Sequence, residues 1–207
     1  MKADKILILG NSITKHPGLE NSGWPGKDWG MAASTPDKDY VHLLIKRFTE
    51  AAGGKAPEMM VRNIADFERE YDTYNISEAL KACAEFKADI IILAINENVP
   101  DLTSDESQRL YHDALTRLLA LLQSDNSPSL FVRSSFWPNE AKDAILRQVC
   151  AEVGGKYIDI SNLSKDESNY ARSERSFEHS GVADHPGDKG MASIADAIWN
   201  AIECRPM

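Results

Sequence analysis

The sequence predicts an α/β protein: a three-layer α/β/α sandwich on a five-stranded parallel sheet, folded as one domain over residues 1–207. Three observations predict it. Short apolar runs recur along the chain, with segments of helical periodicity between them. The runs are mostly continuous where a half-exposed strand would alternate, as expected when helices cover both faces of the sheet. Neither an internal repeat nor a low-complexity linker divides the 207 residues, a length that suits one large domain.

The first strand is read at 5–9, Lys5-Ile6-Leu7-Ile8-Leu9, and the signal Gly10-Asn11-Ser12 turns the chain away from it. Residues 13–37 then form a long connection. The first helix is expected over 38–52, where Tyr40, Leu43, Leu44, Phe48 and Ala51 recur at helical spacing. Strands follow at 59–63 and 89–95, the latter the most apolar of the set. A helix over 105–123, with Leu110, Ala114, Leu118 and Leu121 on one stripe, leads to a strand at 129–133. A helix over 139–152, a strand at 156–160 and a helix over 189–203 complete the order. A second long connection, 161–187, precedes that last helix. Connections of more than about 15 residues are usually functional or mobile. Both of these leave the sheet at its carboxyl edge, where open α/β folds bind their ligands.

Composition removes several classes of function. The net charge is −9 and no Lys/Arg cluster appears, so no nucleic-acid partner is expected. With 43% hydrophobic residues the chain has enough apolar material for a core. Cys83, Cys150 and Cys204 are odd in number and lack CxxC spacing, so they are read as reduced thiols and not as a disulfide framework or a zinc site. The apolar run after Met1-Lys2-Ala3-Asp4 is too short for a secretory signal, and no stretch approaches a membrane span. As written, the sequence reads as a cytoplasmic protein without a membrane partner; an export signal already removed would leave no trace in it. Oligomeric state has no signature here.

The chemistry is sought at the carboxyl edge. Ser12 stands just past the first strand, where it is either a helix cap or a nucleophile. A nucleophile needs a base within hydrogen-bond reach and donors for a developing oxyanion. Of the five histidines, His42 and His112 fall inside helical patterns and His16 lies in the first long loop. His185 sits in Asp184-His185-Pro186-Gly187, a turn stiffened by proline and glycine just before the last helix. The 89–95 strand ends in Asn96-Glu97-Asn98-Val99-Pro100. Asn96 and Asn98 share a face by the two-residue period of a strand and offer amide donors; turn chemistry is the alternative.

Taken together, these pieces resemble the SGNH (GDSL-type) esterases. Gly10-Asn11-Ser12 is similar to that family's Gly-Asp-Ser signature, with Asn11 in place of the aspartate. Asn96-Glu97-Asn98-Val99 falls where the family carries Gly-x-Asn-Asp, and His185-Pro186 matches its closing Asp-x-x-His-Pro. The resemblance implies a flavodoxin-like strand order, in agreement with the βα alternation, and an ester hydrolase that needs no metal or cofactor. It implies Ser12 as nucleophile, His185 as base, and an oxyanion hole of Asn98, the Ser12 N–H and a further backbone N–H near Glu68. The departures are specific. Val182 stands where the family has its triad aspartate. Asp184, Glu178, Asp188 or a backbone carbonyl is then left to orient His185, as a triad or a dyad. The segment after Asn63 lacks the family's glycine and reads equally as a loop with a solvated Glu68-Arg69 pair.

Asn11, Trp24, Trp29 and Trp137 are the candidate substrate contacts. The tryptophans read either as platforms for a sugar ring or acyl group or as anchors for loose loops. The expected substrate is a small-molecule or carbohydrate ester, with a short acyl group such as O-acetyl. The other readings are a catalytically impaired carbohydrate-binding or scaffold module with the same fold, and an acyl-transfer enzyme using the same site.

Overall fold

The computed structural model describes residues 3–123 and 127–204; Met1 and Lys2, where the reading of the amino-terminus begins, lie outside them. Five strands, β1 (Lys5–Gly10), β2 (Glu58–Asn63), β3 (Ile90–Ala94), β4 (Ser129–Arg133) and β5 (Lys156–Ile158), form one sheet in the order β2-β1-β3-β4-β5. Every pairing is parallel. The chain therefore reverses its direction of winding between β1 and β3, which opens a crevice at their carboxyl ends.

Alternate residues of β1 and β3 feed two cores, as the period of a strand requires. Leu7, Leu9, Ile91 and Leu93 face the layer made by α5 (Asp105–Leu122) and α6 (Glu140–Glu152). Ile6, Ile8, Ile90 and Ile92 face α1 (Tyr40–Ala51) and α8 (Asp188–Glu203). Cys83 and Cys150 are buried and Cys204 is exposed; all three are free. No helix among the described residues is long and apolar enough to cross a membrane.

Three of the long helices, α1, α5 and α6, start where polar side chains cap them. Asp39 and Asn139, expected inside helices, lie one residue outside, and their side chains accept from the N–H groups of His42 and Lys142. Likewise the Asp89 carboxylate accepts from the Asp4 and Lys5 N–H groups at 2.8 Å, so it tethers the entrance of β1 instead of extending β3. Four short helices were not anticipated: α2 (Ala65–Arg69), α3 (Ile76–Ala79), α4 (Lys81–Glu85) and α7 (Ser180–Ala183). Each holds about one turn, too little for a 3.6-residue period to show.

The two long connections hold each other. Cross-links between them include Arg175 Nη2 donating to the Ala32 carbonyl at 2.7 Å and the Glu178 N–H donating to the Ser22 carbonyl at 3.1 Å, and the Ser34 hydroxyl ties the first connection to Asp188 at the start of α8 at 2.6 Å. A small third core of Trp24, Met31, Ala32, Ala171 and Val182 lies between them.

Candidate active site

Gly10 closes β1 because nothing larger fits. A Cβ there would stand 1.8 Å from the Thr14 hydroxyl and 2.9 Å from the Ala94 carbonyl of the neighbouring strand. Past Gly10 the chain makes a tight turn, with the Asn11 carbonyl accepting from Thr14 and Lys15 at 3.0 and 2.9 Å. Ser12 sits at the head of that turn. Its carbonyl accepts from the Met31 N–H at 2.8 Å, and its own N–H makes no hydrogen bond among the described residues.

His185 arrives from the other long connection. The Ser12 hydroxyl is 2.8 Å from His185 Nε2, across 173 residues of sequence. On the far side of the ring, Nδ1 lies 2.6 Å from the Gly181 carbonyl in α7. A carbonyl only accepts, so Nδ1 carries the proton and Nε2 is left to accept from the serine. Burial lowers the His185 pKa below its ordinary value, opposed by the Gly181 contact. The imidazole is therefore neutral at neutral pH, the form a general base needs.

Among the described residues, none of the three acids that could orient the imidazole stands behind it. Asp184 turns outward and pairs with Arg172, with 56% of its side chain exposed. Asp188 accepts from Ser34 and faces Arg175. Glu178 makes no hydrogen bond to the ring among the described residues. Val182, three residues before the histidine, points into the third core and is fully buried, a position hostile to any acid. Of the four orienting groups sequence reading left open, the contact is a backbone carbonyl, that of Gly181.

The β3 tip separates its two asparagines. Asn96 adopts φ 112°, in the left-handed region that asparagine tolerates better than most residues. Its side chain turns into the core, donating to Asp143 at 3.0 Å and accepting from the Tyr111 hydroxyl at 2.6 Å. Asn98 instead lines a cleft of about 520 Å³ together with Ser12, His185, His16, Arg69 and His179. The shared face expected from strand periodicity is lost because β3 ends at Ala94.

Glu68 overturns both readings made of it. It is neither a solvated loop residue nor a source of a free N–H: it is 0% exposed, and its N–H donates to the Ile64 carbonyl at 3.3 Å. The short turn of α2 carries the side chain inward, so that the carboxylate, not the backbone, faces the site. Glu68 Oε1 accepts from Asn11 Nδ2 at 3.1 Å, the Asn96 N–H at 2.5 Å and the Asn98 N–H at 3.2 Å. Oε2 accepts from Asn98 Nδ2 at 2.8 Å. Burial first, then the facing Glu97 carboxylate, push the Glu68 pKa up to about 7.

Glu97, unremarked in the sequence, is the second buried acid. It accepts from Asn11 Nδ2 at 2.6 Å, Arg133 Nη1 at 2.6 Å and the Phe136 N–H at 2.9 Å. Arg133 is fully buried at the end of β4, so its charge requires this partner.

The remaining candidates divide. Asn11 is completely buried and touches the two acids, so the substrate contact expected of it is corrected to a structural one. Trp24 is 5% exposed, donates from Nε1 to the Ala33 carbonyl at 2.9 Å, and packs against Trp29 edge to face. Trp29 donates to the same carbonyl at 3.3 Å. Both pin the first loop, and neither lines the cleft. Gly26 belongs to this anchor: a Cβ there would run into the Trp24 ring at 1.8 Å. Trp137 does reach the site. Its ring meets the His185 imidazole at 5.2 Å and 81°, and it lines a second groove of about 510 Å³ with Tyr170, Arg172 and His185.

No protein-family model and no curated protein matches the sequence. Solved structures do match. A putative GDSL-like lipase from Bacteroides ovatus superposes with TM-score 0.63 at 16% identity, over 99% of this chain and all of that one. The psychrotrophic esterase EstA from Pseudoalteromonas sp. gives 0.58 at 13% identity, over 97% of both chains. A family two carbohydrate esterase from Cellvibrio japonicus gives 0.56 at 16% identity, over 96% of this chain and 60% of its own length. With five parallel strands in the same layered arrangement, the fold of this chain is that of the SGNH, GDSL-type hydrolases.

Proposed function

We propose that this chain is a serine hydrolase of carboxylic esters working through a Ser12–His185 dyad. The observation that carries the reading is the hydrogen-bonded line from Ser12 Oγ through the imidazole to the Gly181 carbonyl, at 2.8 and 2.6 Å. Its situation at the topological switch point of a fold shared with esterases supports it.

In this mechanism Ser12 Oγ attacks the acyl carbon while His185 Nε2 takes its proton. The tetrahedral oxyanion lies against the Ser12 N–H and the second hydrogen of Asn98 Nδ2, the first being held by Glu68. His185 then gives the proton to the leaving alkoxide, and the acyl group remains on the serine. Water then attacks the acyl carbon as the same imidazole takes its proton, the bond to Ser12 Oγ breaks, and His185 returns that proton to the serine as the acid leaves. The Gly181 carbonyl holds the ring and favours the imidazolium by its dipole, a weaker effect than that of a carboxylate.

The substrate is proposed to be a short-acyl ester of a carbohydrate. His185 protonates the leaving oxygen, so the alcohol part must pass close to the imidazole. The Trp137 groove begins there, and an aromatic ring beside polar side chains suits a sugar. The carbohydrate esterases among the structural neighbours agree with that choice.

Incubation with p-nitrophenyl acetate and with a fluorophosphonate probe tests the chemistry. Wild type is expected to turn over the ester and take the label, and Ser12→Ala to lose both, by about 10⁴-fold or more in turnover. Absence of turnover and label in wild type across neutral pH would instead favour a carbohydrate-binding module. The outward-turned Asp184 is the observation that keeps this second reading in view.

A further inference from the structure

The Asn98 amide is useful to an oxyanion only if it presents nitrogen to the cleft and holds still. We propose that Glu68 is the positioning residue for Asn98, and that Asn11 is an amide because it must donate to Glu68 and Glu97 at once. The first part rests on the esterase reading; the second stands on packing alone.

Glu68 grips Asn98 twice, through the backbone N–H at 3.2 Å and through Nδ2 at 2.8 Å. Only nitrogen can face the ionised carboxylate in this way, so in that form the acid selects the amide's orientation as well as its position. The opposite end agrees, since Arg69 Nη2 donates to Asn98 Oδ1 at 3.4 Å. One Nδ2 hydrogen is thereby used and the other remains for the cleft.

Asn11 solves the problem of two acids in one buried space. Its Nδ2 carries two hydrogens, and two carboxylates receive them: Glu68 Oε1 at 3.1 Å and Glu97 Oε2 at 2.6 Å. Its Oδ1 accepts from the Ile13 N–H at 3.2 Å, which fixes the turn that presents Ser12. An aspartate at this position would supply no hydrogen and add a third negative charge. Glu97 has Arg133 as counter-ion, whereas the hydrogen bonds to Glu68 all come from amides. Glu68 is therefore the acid that a neutral residue could replace.

Two measurements on the full chain test this. In thermal unfolding, Asn11→Asp is expected to lower Tm by about 5 °C or more. Adding Glu68→Gln should recover most of that loss, because the glutamine amide can donate to the new carboxylate. Additive shifts would overturn the bridge. In ester hydrolysis, Glu68→Gln is expected to lower kcat at least about tenfold with KM within about twofold, since its amide nitrogen would oppose Asn98 Nδ2. The Tm of this single variant should stay within about 3 °C of wild type. A kcat within threefold of wild type, or a loss matched by unfolding, would overturn the positioning role. Wild type without turnover would overturn the esterase reading and the positioning role together, while the Tm cycle still decides the Asn11 bridge.

Discussion

The two halves of the site are built differently. On the Ser12–His185 side, loops meet loops and the decisive contact behind the imidazole is a backbone carbonyl at 2.6 Å. On the Asn98 side, two buried carboxylates and a buried guanidinium tie together the tips of β1, β3 and β4, with α2 behind them. Carboxylates thus stand behind Asn98, the proposed oxyanion donor, and not behind His185, the proposed base. The dyad side rests on neutral contacts. The Asn98 side is cross-linked through buried charges, and Arg133 depends on Glu97 as its partner.

That contrast makes the buried side the place where substitution costs most in stability. Glu97→Ala should be the severest change, because it leaves the fully buried Arg133 guanidinium without its counter-ion. Removing one partner of a buried pair typically costs about 3–5 kcal/mol, which denaturant unfolding would register directly. A loss below about 1 kcal/mol would mean that water reaches Arg133 and that the buried pair does not tie this half together.

A smaller effect separates the halves by pH. The Glu68 pKa of about 7 in the fold lies above its ordinary 4.5, raised by burial and then by Glu97. The folded state therefore binds the proton more tightly than the unfolded chain. The stabilisation is fully present below about pH 4.5 and is lost as pH rises through 7, to at most about 3 kcal/mol. The groups facing Glu68 are Glu97 and the amides of Asn11, Asn96 and Asn98, with Tyr111 and Arg133 nearby. His185, whose pKa is lowered, contributes the opposite slope. It does so in wild type and in Glu68→Gln alike, so the difference between the two isolates Glu68. Wild type should lose stability relative to Glu68→Gln between pH 5 and pH 8. A difference independent of pH would show that the four N–H donors keep Glu68 an ordinary carboxylate.

The sequence exposed the dyad side more fully than the buried side, for physical reasons. Ser12 follows a strand that must stop at Gly10, and His185 sits in a proline-stiffened turn before a periodic helix; both signals are local. The strands showed as apolar runs because helices cover both faces. The direction of Glu68 depends on a five-residue helix, too short for any period. Arg133 looks like the polar end of a strand, and only the approach of β3 explains how it is buried whole. The Gly181 carbonyl leaves no trace in residue identity, because every residue carries one. The nearest hint was negative: valine at 182, where an acid would have to point into an apolar cluster.

The smallest predicted effect bears most directly on the difference between the halves. Were a carboxylate orienting His185, its neutral replacement would cost roughly 10⁴-fold in kcat, as removing the acid of a triad does. Asp184 is the nearest acid in sequence, yet its carboxylate lies on Arg172, and its influence on the imidazole ranks below burial, the Gly181 contact and Glu97. Asp184→Asn should therefore leave turnover of p-nitrophenyl acetate within about threefold of wild type. The loss of one largely exposed ion pair should change stability by less than about 1 kcal/mol. A drop of a hundredfold or more in kcat would mean that Asp184 leaves Arg172 and swings behind the ring during turnover. The charge would then stand on both sides of the reacting centre, and the Gly181 contact would describe only the resting enzyme.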